Sequence, residues 1–323
     1  MFRSGLLCGA AIVLVSAAGA GGAGAKERFT TFDPTGSVYT YAAAINTSGA
    51  VGGYYDDSRG MAHGFVRAPD GTITAFDPTG STSTEVTSIN DNGDVAGWYR
   101  TASGTYVNFV RASDGTITTF NATKGNEPVT IGLNAKGKVA GWYLTGDYAI
   151  AGFVGMPEQR IKQLTVEGVA INTRGAVTGI DGSEGFVRAP SGQMTTFTGP
   201  NNPSTTVPTG INDSGVVAGY GASVCGIEAH GFSRDASGKM TAIDAPDAEY
   251  TRVTAINDKG ALAGSYYYGG YHGFVRSPDG TYKTFDVAGA TNGTYPEGIN
   301  ANREVAGGYY DANDRLHGFV GTP

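Results

Sequence analysis

Ile89-Asn90-Asp91-Asn92-Gly93-Asp94-Val95-Ala96-Gly97 reads as two short strands joined by a tight hairpin. Gly93 suits the left-handed position of the turn, and the Asn90 side chain suits a bond back to the turn backbone. The same unit, Ile-Asn-x-x-Gly-x-Val-Ala-Gly, recurs with its asparagine at Asn46, Asn90, Asn134, Asn172, Asn212, Asn257 and Asn300. The last copy carries Arg303 where the others have Gly, so its hairpin is expected to turn differently, on Asn302.

Two further elements keep step with the first. His-Gly-Phe-Val centres on Phe65, Phe109, Phe153, Phe186, Phe232, Phe274 and Phe319. Thr-x-Phe-Asp centres on Phe32, Phe76, Phe120, Leu164, Phe197, Ile243 and Phe285. A period of roughly 38 to 45 residues is that of a four-stranded propeller blade. The second copy supplies four strand candidates, 85–90, 94–100, 106–111 and 116–120. The expected fold is all-β: a seven-bladed β-propeller of four-stranded antiparallel blades.

Loop length sets the strand order. The outermost strand of a blade must return to the innermost strand of the next, about three inter-strand spacings of ~4.8 Å away. The connection long enough in nearly every repeat follows Thr-x-Phe-Asp, which places that strand outermost and Ile-Asn innermost. Residues before the Ile-Asn pair are small: Ala44, Ser88, Gly132, Ala170, Gly210, Ala255 and Gly298. A crowded axis demands this. One strand is then left over at 28–33, and the last repeat lacks an outer strand. Pairing the two closes the ring and removes the open edges.

Composition agrees. Gly is present 52 times without a collagen period, and 40% of residues are hydrophobic, too many for a disordered chain. A net charge of −7 with no Lys/Arg-rich run excludes a phosphate-backbone binder, so no nucleic acid partner is expected. Residues 1–25 read as a signal peptide: Arg3, an apolar run from Leu6 to Val15, and Ala23-Gly24-Ala25. The expected organisation is a leader over 1–25 and one propeller over 26–323. The product is expected to be secreted (periplasmic or extracellular), monomeric and without a membrane span. Loss of Cys8 with the leader leaves Cys225 alone, so no internal disulfide forms.

Units such as Val305-Ala306-Gly307-Gly308-Tyr309-Tyr310 followed by His317-Gly318-Phe319-Val320 resemble the HAF-repeat family of probable extracellular repeats. The resemblance runs through essentially the whole chain after the leader. It implies bacterial export and a repeat architecture, and it implies no settled activity.

The long connections, from outermost to innermost strand and from second to third, share one face of the ring. Function on a rigid scaffold usually lives in such loops. Candidate ligand-binding residues there are Trp98, Tyr99, Trp142, Tyr143, Tyr148, Tyr220, Tyr266 and Tyr309. Aromatic faces among Asp, Asn, Ser and Thr suit stacking on sugar rings; the plainer reading is packing between blades. The fourth repeat is short at both connections, so the rim should dip there beside Trp142 and Tyr148.

Catalytic and metal motifs are weak. His63, His230, His272 and His317 occupy one repeat position in different blades, too far apart to share a metal, and read as structural. No Gly-x-Ser-x-Gly elbow occurs. No cofactor is expected, beyond a weak surface calcium ion at Asp56-Asp57 or Asp311 with Asp314. A lyase would need a Tyr or His base near a cation that neutralises a uronate, and this face offers Arg59, Arg100, Arg252 and Arg315. The leading expectation is a secreted, non-catalytic propeller that binds an extracellular glycan or protein through the long-loop face. The alternatives are a polysaccharide-active lyase or hydrolase working in the central pocket, and a structural component of the envelope or matrix.

Overall fold

The computed structural model describes residues 28–121, 126–146, 149–201, 203–223 and 229–323. The leader expected at 1–25, Tyr148 and Cys225 lie outside the described residues. After β1 (Arg28–Phe32), the first blade holds β2 (Ser37–Ile45), β3 (Val51–Asp57), β4 (Ala62–Arg67) and β5 (Ile73–Phe76), paired in that order. Seven such four-stranded antiparallel sheets form the seven-bladed propeller. The Ile-Asn strand is innermost in every blade: after β2 come β6 (Ser81–Ile89), β10 (Asn126–Leu133), β14 (Glu167–Ile171), β18 (Thr205–Ile211), β22 (Tyr250–Ile256) and β26 (Thr294–Ile299). All of these line the central channel.

The last blade borrows its outer strand. β26, β27 (Val305–Tyr310) and β28 (Leu316–Thr322) are completed by β1, with Arg28 opposite Thr322 and Phe32 opposite Gly318. The ladder joins the two ends of the described chain, so the ring has no open radial seam.

The repeated asparagine explains the other half of the closure. In each blade its Oδ1 accepts a backbone N–H of its own hairpin, as Asn90 does from Asn92 and Asp94. Its Nδ2 donates to the carbonyl of the asparagine in the next blade, at 2.8–3.2 Å in all seven links. The last link, Asn300 to Asn46 O, closes the cycle. Arg303 corrects the expectation of a different final turn. It donates to Asn300 O at 3.0 Å, as Gly49 does to Asn46 O, and takes a left-handed φ of 64° itself. Asn300 Oδ1 holds that turn through Asn302 N and Glu304 N.

The Phe of His-Gly-Phe-Val is fully buried in every blade, which contributes about 2–3 kcal/mol per ring. Each inner strand carries a β-bulge in the same place, between Val86 and Ser88 in β6 for example. The bulge drives a carbonyl toward the second strand, so that a Cβ on Gly97 would collide with Glu85 O. Only Gly fits there, and this is the physical reason for the Gly that ends Val-Ala-Gly. Crowding at the axis is as expected: a Cβ on Gly298 would come within 3.1 Å of Ile45 N. No helix among the described residues is long and apolar enough to cross a membrane.

Two outcomes follow from these contacts. Asn172→Ala removes one of the two bonds to the Asn212 carbonyl, which keeps the Gly215 amide, and strips the Ala176 amide of its Oδ1 acceptor; it should cost about 1–3 kcal/mol in guanidinium unfolding. Deleting residues 28–33 should lower the melting temperature and promote aggregation by exposing the edge of β28. A truncated protein that melts with its parent would rule out the closure.

Candidate active site

The bulge residue of each inner strand points into the channel. These residues are Ala43, Thr87, Ile131, Val169, Thr209, Thr254 and Glu297, and all line a cavity of about 490 Å³. In three blades the position has a structural task. Thr87, Thr209 and Thr254 each donate to the next blade's backbone, at Thr130 O, Val253 O and Pro296 O. Glu297 is a departure from that ring of small, apolar and hydroxyl side chains.

Glu297 does not stand alone. The Tyr41 hydroxyl faces its carboxyl and favours the charged form. The Tyr41 ring tilts against Tyr54 at 5.2 Å between centroids. Glu85 lines the same cavity from the other side of β2. Burial pushes Glu297 up to about 7 despite the opposing influence of the Tyr41 hydroxyl, and burial with the nearby Asp56 charge pushes Glu85 up to about 7. Burial also raises Asp56, Glu167 and the two phenols, Tyr41 and Tyr54. Two carboxyls that sit at neutral pH between ionised and neutral forms are equipped to take or give a proton.

The opposite mouth is different in kind. A cavity of about 240 Å³ there is lined by the asparagine ring and the hairpin residues after it. Its carboxylates accept from backbone amides, Asp91 from Thr47 N, Asp213 from Thr173 N and Asp258 from Asp213 N. Their chemistry is spent on the fold.

The aromatic candidates divide by strand alternation. Tyr99, Tyr143 and Tyr309 are each only 8% exposed and sit in hydrophobic clusters with the buried Phe residues. Tyr266 packs on the equivalent cluster and lies 5.2 Å from the His272 ring. Trp98, Trp142 and Tyr220, one residue earlier in their strands, are half-buried and pair in register with Glu85, Val129 and Val207 of the inner strands. That is the register of the Tyr54–Tyr41 pair at the mouth. The short connections of the fourth repeat are present, with a two-residue turn after Asp181 that puts Gly182 at a φ of 63°.

The four histidines stay apart, each against the aspartate that ends Thr-x-Phe-Asp. Nδ1 lies 2.7 Å from an Asp77 oxygen in His63, 3.0 Å from Asp244 in His230, 2.8 Å from Asp286 in His272 and 2.7 Å from Asp33 in His317. Asp77 and Asp33 also accept from Thr84 and Thr40 of the following blade, so the pair ties one blade to the next. Among the described residues no group of three or more His, Cys, Asp or Glu is placed to hold a metal ion. The carboxylates considered for calcium are engaged in turns: Asp57 accepts from Arg59 N and Met61 N, and Asp311 from Asn313 N and Arg315 N.

Neither Glu85 nor Glu297 stands out in the sequence until the repeats are aligned. For Glu297 the signal is a charged side chain at a position where the other copies carry Ala, Thr, Ile or Val; the Glu85 position varies among Tyr, Val, Glu and Arg and gives no such signal.

Comparison with solved structures gives the same architecture. Virginiamycin B lyase from Staphylococcus aureus is similar over 92% of this chain and 100% of its own, with a TM-score of 0.62 and 13% identity. A streptogramin B lyase is similar over 92% and 98%, with a TM-score of 0.61 and 14% identity. The β-propeller domain of the Trilobed protease from Pyrococcus furiosus matches over 88% and 95%, at 0.62 and 10% identity, and has an open velcro topology. No family model matches the chain, and no curated protein does. At these identities the likeness shows the fold. It nevertheless corrects the expectation of a non-catalytic, carbohydrate-binding module, and with it the inclination against an enzyme. Two proteins matched over nearly their whole length are lyases, and titratable carboxyls and phenols line this chain's channel.

The two glutamates make stability depend on pH. The unfolded chain sheds their protons near 4.5, and the folded chain holds them to about 7. Stability from these groups is therefore fully present below pH 4.5 and lost as pH rises through 7. Asp311, held at about 2 by turn amides led by that of Arg315, acts in the opposite sense: its contribution is present above its ordinary value of 3.8 and is lost as pH falls through about 2. Unfolding measured across the upper window should show a decline that Glu85→Gln and Glu297→Gln each reduce by about 1–2 kcal/mol after screening. An unchanged decline in both variants contradicts the buried-acid assignment.

Proposed function

We propose that the protein is a polysaccharide-active lyase or hydrolase whose active site is the long-loop mouth of the central channel. Glu297 is its acid–base group, Tyr41 orients that carboxyl, and Glu85 is the second carboxyl of the site. The observation that carries the reading is the half-buried carboxyl of Glu297, on a bulge that aims it into the cavity. Nothing in the fold requires a carboxylate there, since Ala43 and Thr254 serve the same position in the adjacent blades.

A group near pH 7 is matched to proton transfer at neutral pH, which contributes about 10²–10⁴-fold to rate. Tyr54 at the mouth, with Trp98 and Trp142 in the same register around it, offers faces for sugar rings, and hydroxyls can bond the carboxyls between them. The resemblance to HAF repeats and the export it implies belong to this proposal and rest on the sequence alone.

Glu297→Gln should lower kcat on a cleaved polysaccharide by at least about a hundredfold while the melting temperature holds or rises. Tyr41→Phe should cost less and shift the pH profile upward, since the Tyr41 hydroxyl favours the charged carboxyl. A Glu297→Gln enzyme as active as its parent would remove the site from the channel.

A further inference from the structure

Five tyrosines form a row on the long-loop face of the sixth and seventh blades. Between ring centroids, Tyr250 lies 5.6 Å from Tyr267, Tyr267 5.1 Å from Tyr271, Tyr271 5.3 Å from Tyr295 and Tyr295 5.8 Å from Tyr310. The ring planes meet at 36°, 67°, 39° and 89°, so no ring is covered flat by its neighbour. Each is only partly buried, and Tyr271 at the centre of the row is 36% exposed. Tyr99, Tyr143 and Tyr309, by contrast, are spent on the core.

The fold does not call for phenols here. Tyr267 and Tyr310 hold one repeat position, filled in other blades by Asp56, Arg100, Leu144 and Ala222. A connecting loop then fixes the end of the row. Tyr310 N donates to Gly293 O at 3.1 Å, and Tyr310 O accepts from Thr291 N and Asn292 N. Asn292 accepts the Tyr295 hydroxyl at its carbonyl and donates its side-chain amide to Asp314 Oδ1 at 2.6 Å. Only Gly fits at Gly293, where φ is 117° and a Cβ would come within 2.7 Å of the Tyr295 hydroxyl and 2.9 Å of Tyr271 Cβ. The row ends beside the channel. After burial, the influences that raise the phenols of Tyr41 and Tyr54 include Tyr310, and both phenols line the cavity with Glu297.

Resting on the polysaccharide reading above, we propose that this row is an extended subsite for a neutral glycan of equatorially linked hexopyranose units, which it leads to the channel mouth. Equatorial linkage keeps such a chain extended and turns its axial C–H bonds to two flat faces, and those faces pack on phenol rings. Hydroxyls at the ring edges both donate to and accept from sugar hydroxyls. Burial raises Tyr295 to about 12, so the phenol keeps its proton at neutral pH and the contact is stacking rather than ion pairing. Rings already held by one another and by the loop lose little freedom on binding, which favours affinity. Continuity with the acid–base cavity makes the occupant a chain presented for cleavage.

The probes are cellohexaose, mannohexaose and N-acetylchitohexaose, the matching disaccharides, and maltohexaose as the axially linked control. Calorimetry reads affinity, and new reducing ends read cleavage. At least one equatorially linked hexasaccharide should bind about tenfold or more tightly than its disaccharide and than maltohexaose. Tyr267→Ala and Tyr271→Ala should each weaken that hexasaccharide about three- to tenfold with an unaltered melting temperature. Tyr271→Phe keeps the ring and should bind as the parent does. The proposal is overturned if no equatorially linked hexasaccharide binds, if maltohexaose binds as well, or if both alanine variants keep the parent's affinity. Binding of a decaproline peptide and of no saccharide overturns it too. Glu297→Gln separates this subsite from the acid–base reading. Hexasaccharide bound with cleavage lost supports both; hexasaccharide bound and cleaved as by the parent removes the role of Glu297 and leaves the row standing. Cleavage lost in Glu297→Gln with affinity indifferent to Tyr267 and Tyr271 removes the row alone.

Discussion

A cycle of asparagine side chains holds this ring together. Each amide spends its oxygen on its own hairpin and its nitrogen on the next blade's carbonyl, so the geometry of one turn is passed to its neighbour. The cycle works only if the number of blades brings the last asparagine back to the first, as Asn300 does to Asn46. Buried at the narrow end of the channel, these bonds lie away from competing water and are worth more than surface equivalents. The left-handed backbone of Arg303 shows the strength of the constraint, since a non-Gly residue accepts the strained conformation rather than break the pattern.

The second closure acts at the rim. β1 completes the last sheet, and the His317–Asp33–Thr40 chain ties that sheet to the first blade just as His63–Asp77–Thr84 ties the first to the second. Histidines that suggest a metal site are, in this setting, orienting partners for aspartates that bridge blades. With both the axis and the rim fastened, no disulfide among the described residues is needed for stability.

A scaffold secured at those positions leaves others free. The bulge ring and the position two residues before it face the channel, and apart from the clasping threonines they carry no load for the fold. Charged and phenolic residues line the cavity there in blades 1, 2 and 7 as Tyr41, Tyr54, Glu85 and Glu297. A carboxyl at such a place costs stability when it ionises, a cost that the proposed acid–base role accounts for.

The blade number, strand order and end-to-end closure were legible in the sequence because they rest on local signals: hairpin residues, a fixed period and the lengths of loops. Ile89-Asn90 through Gly97 contains its own turn, so its meaning does not depend on distant partners. The site was not legible in that way. Tyr41, Glu85 and Glu297 come from three repeats and line one cavity only when the ring closes. The bulge also breaks the alternation of strand faces between Val86 and Ser88, so counting back from Ile89 misassigns which residues look into the channel. Aromatic content pointed to the long-loop face, yet Trp98 and Tyr99 look identical by composition, and alternation sends one toward the mouth register and the other into the core. The sequence by itself determined the ring; the tertiary structure alone decided which side chains face its channel, because burial and proximity across blades exist only after closure.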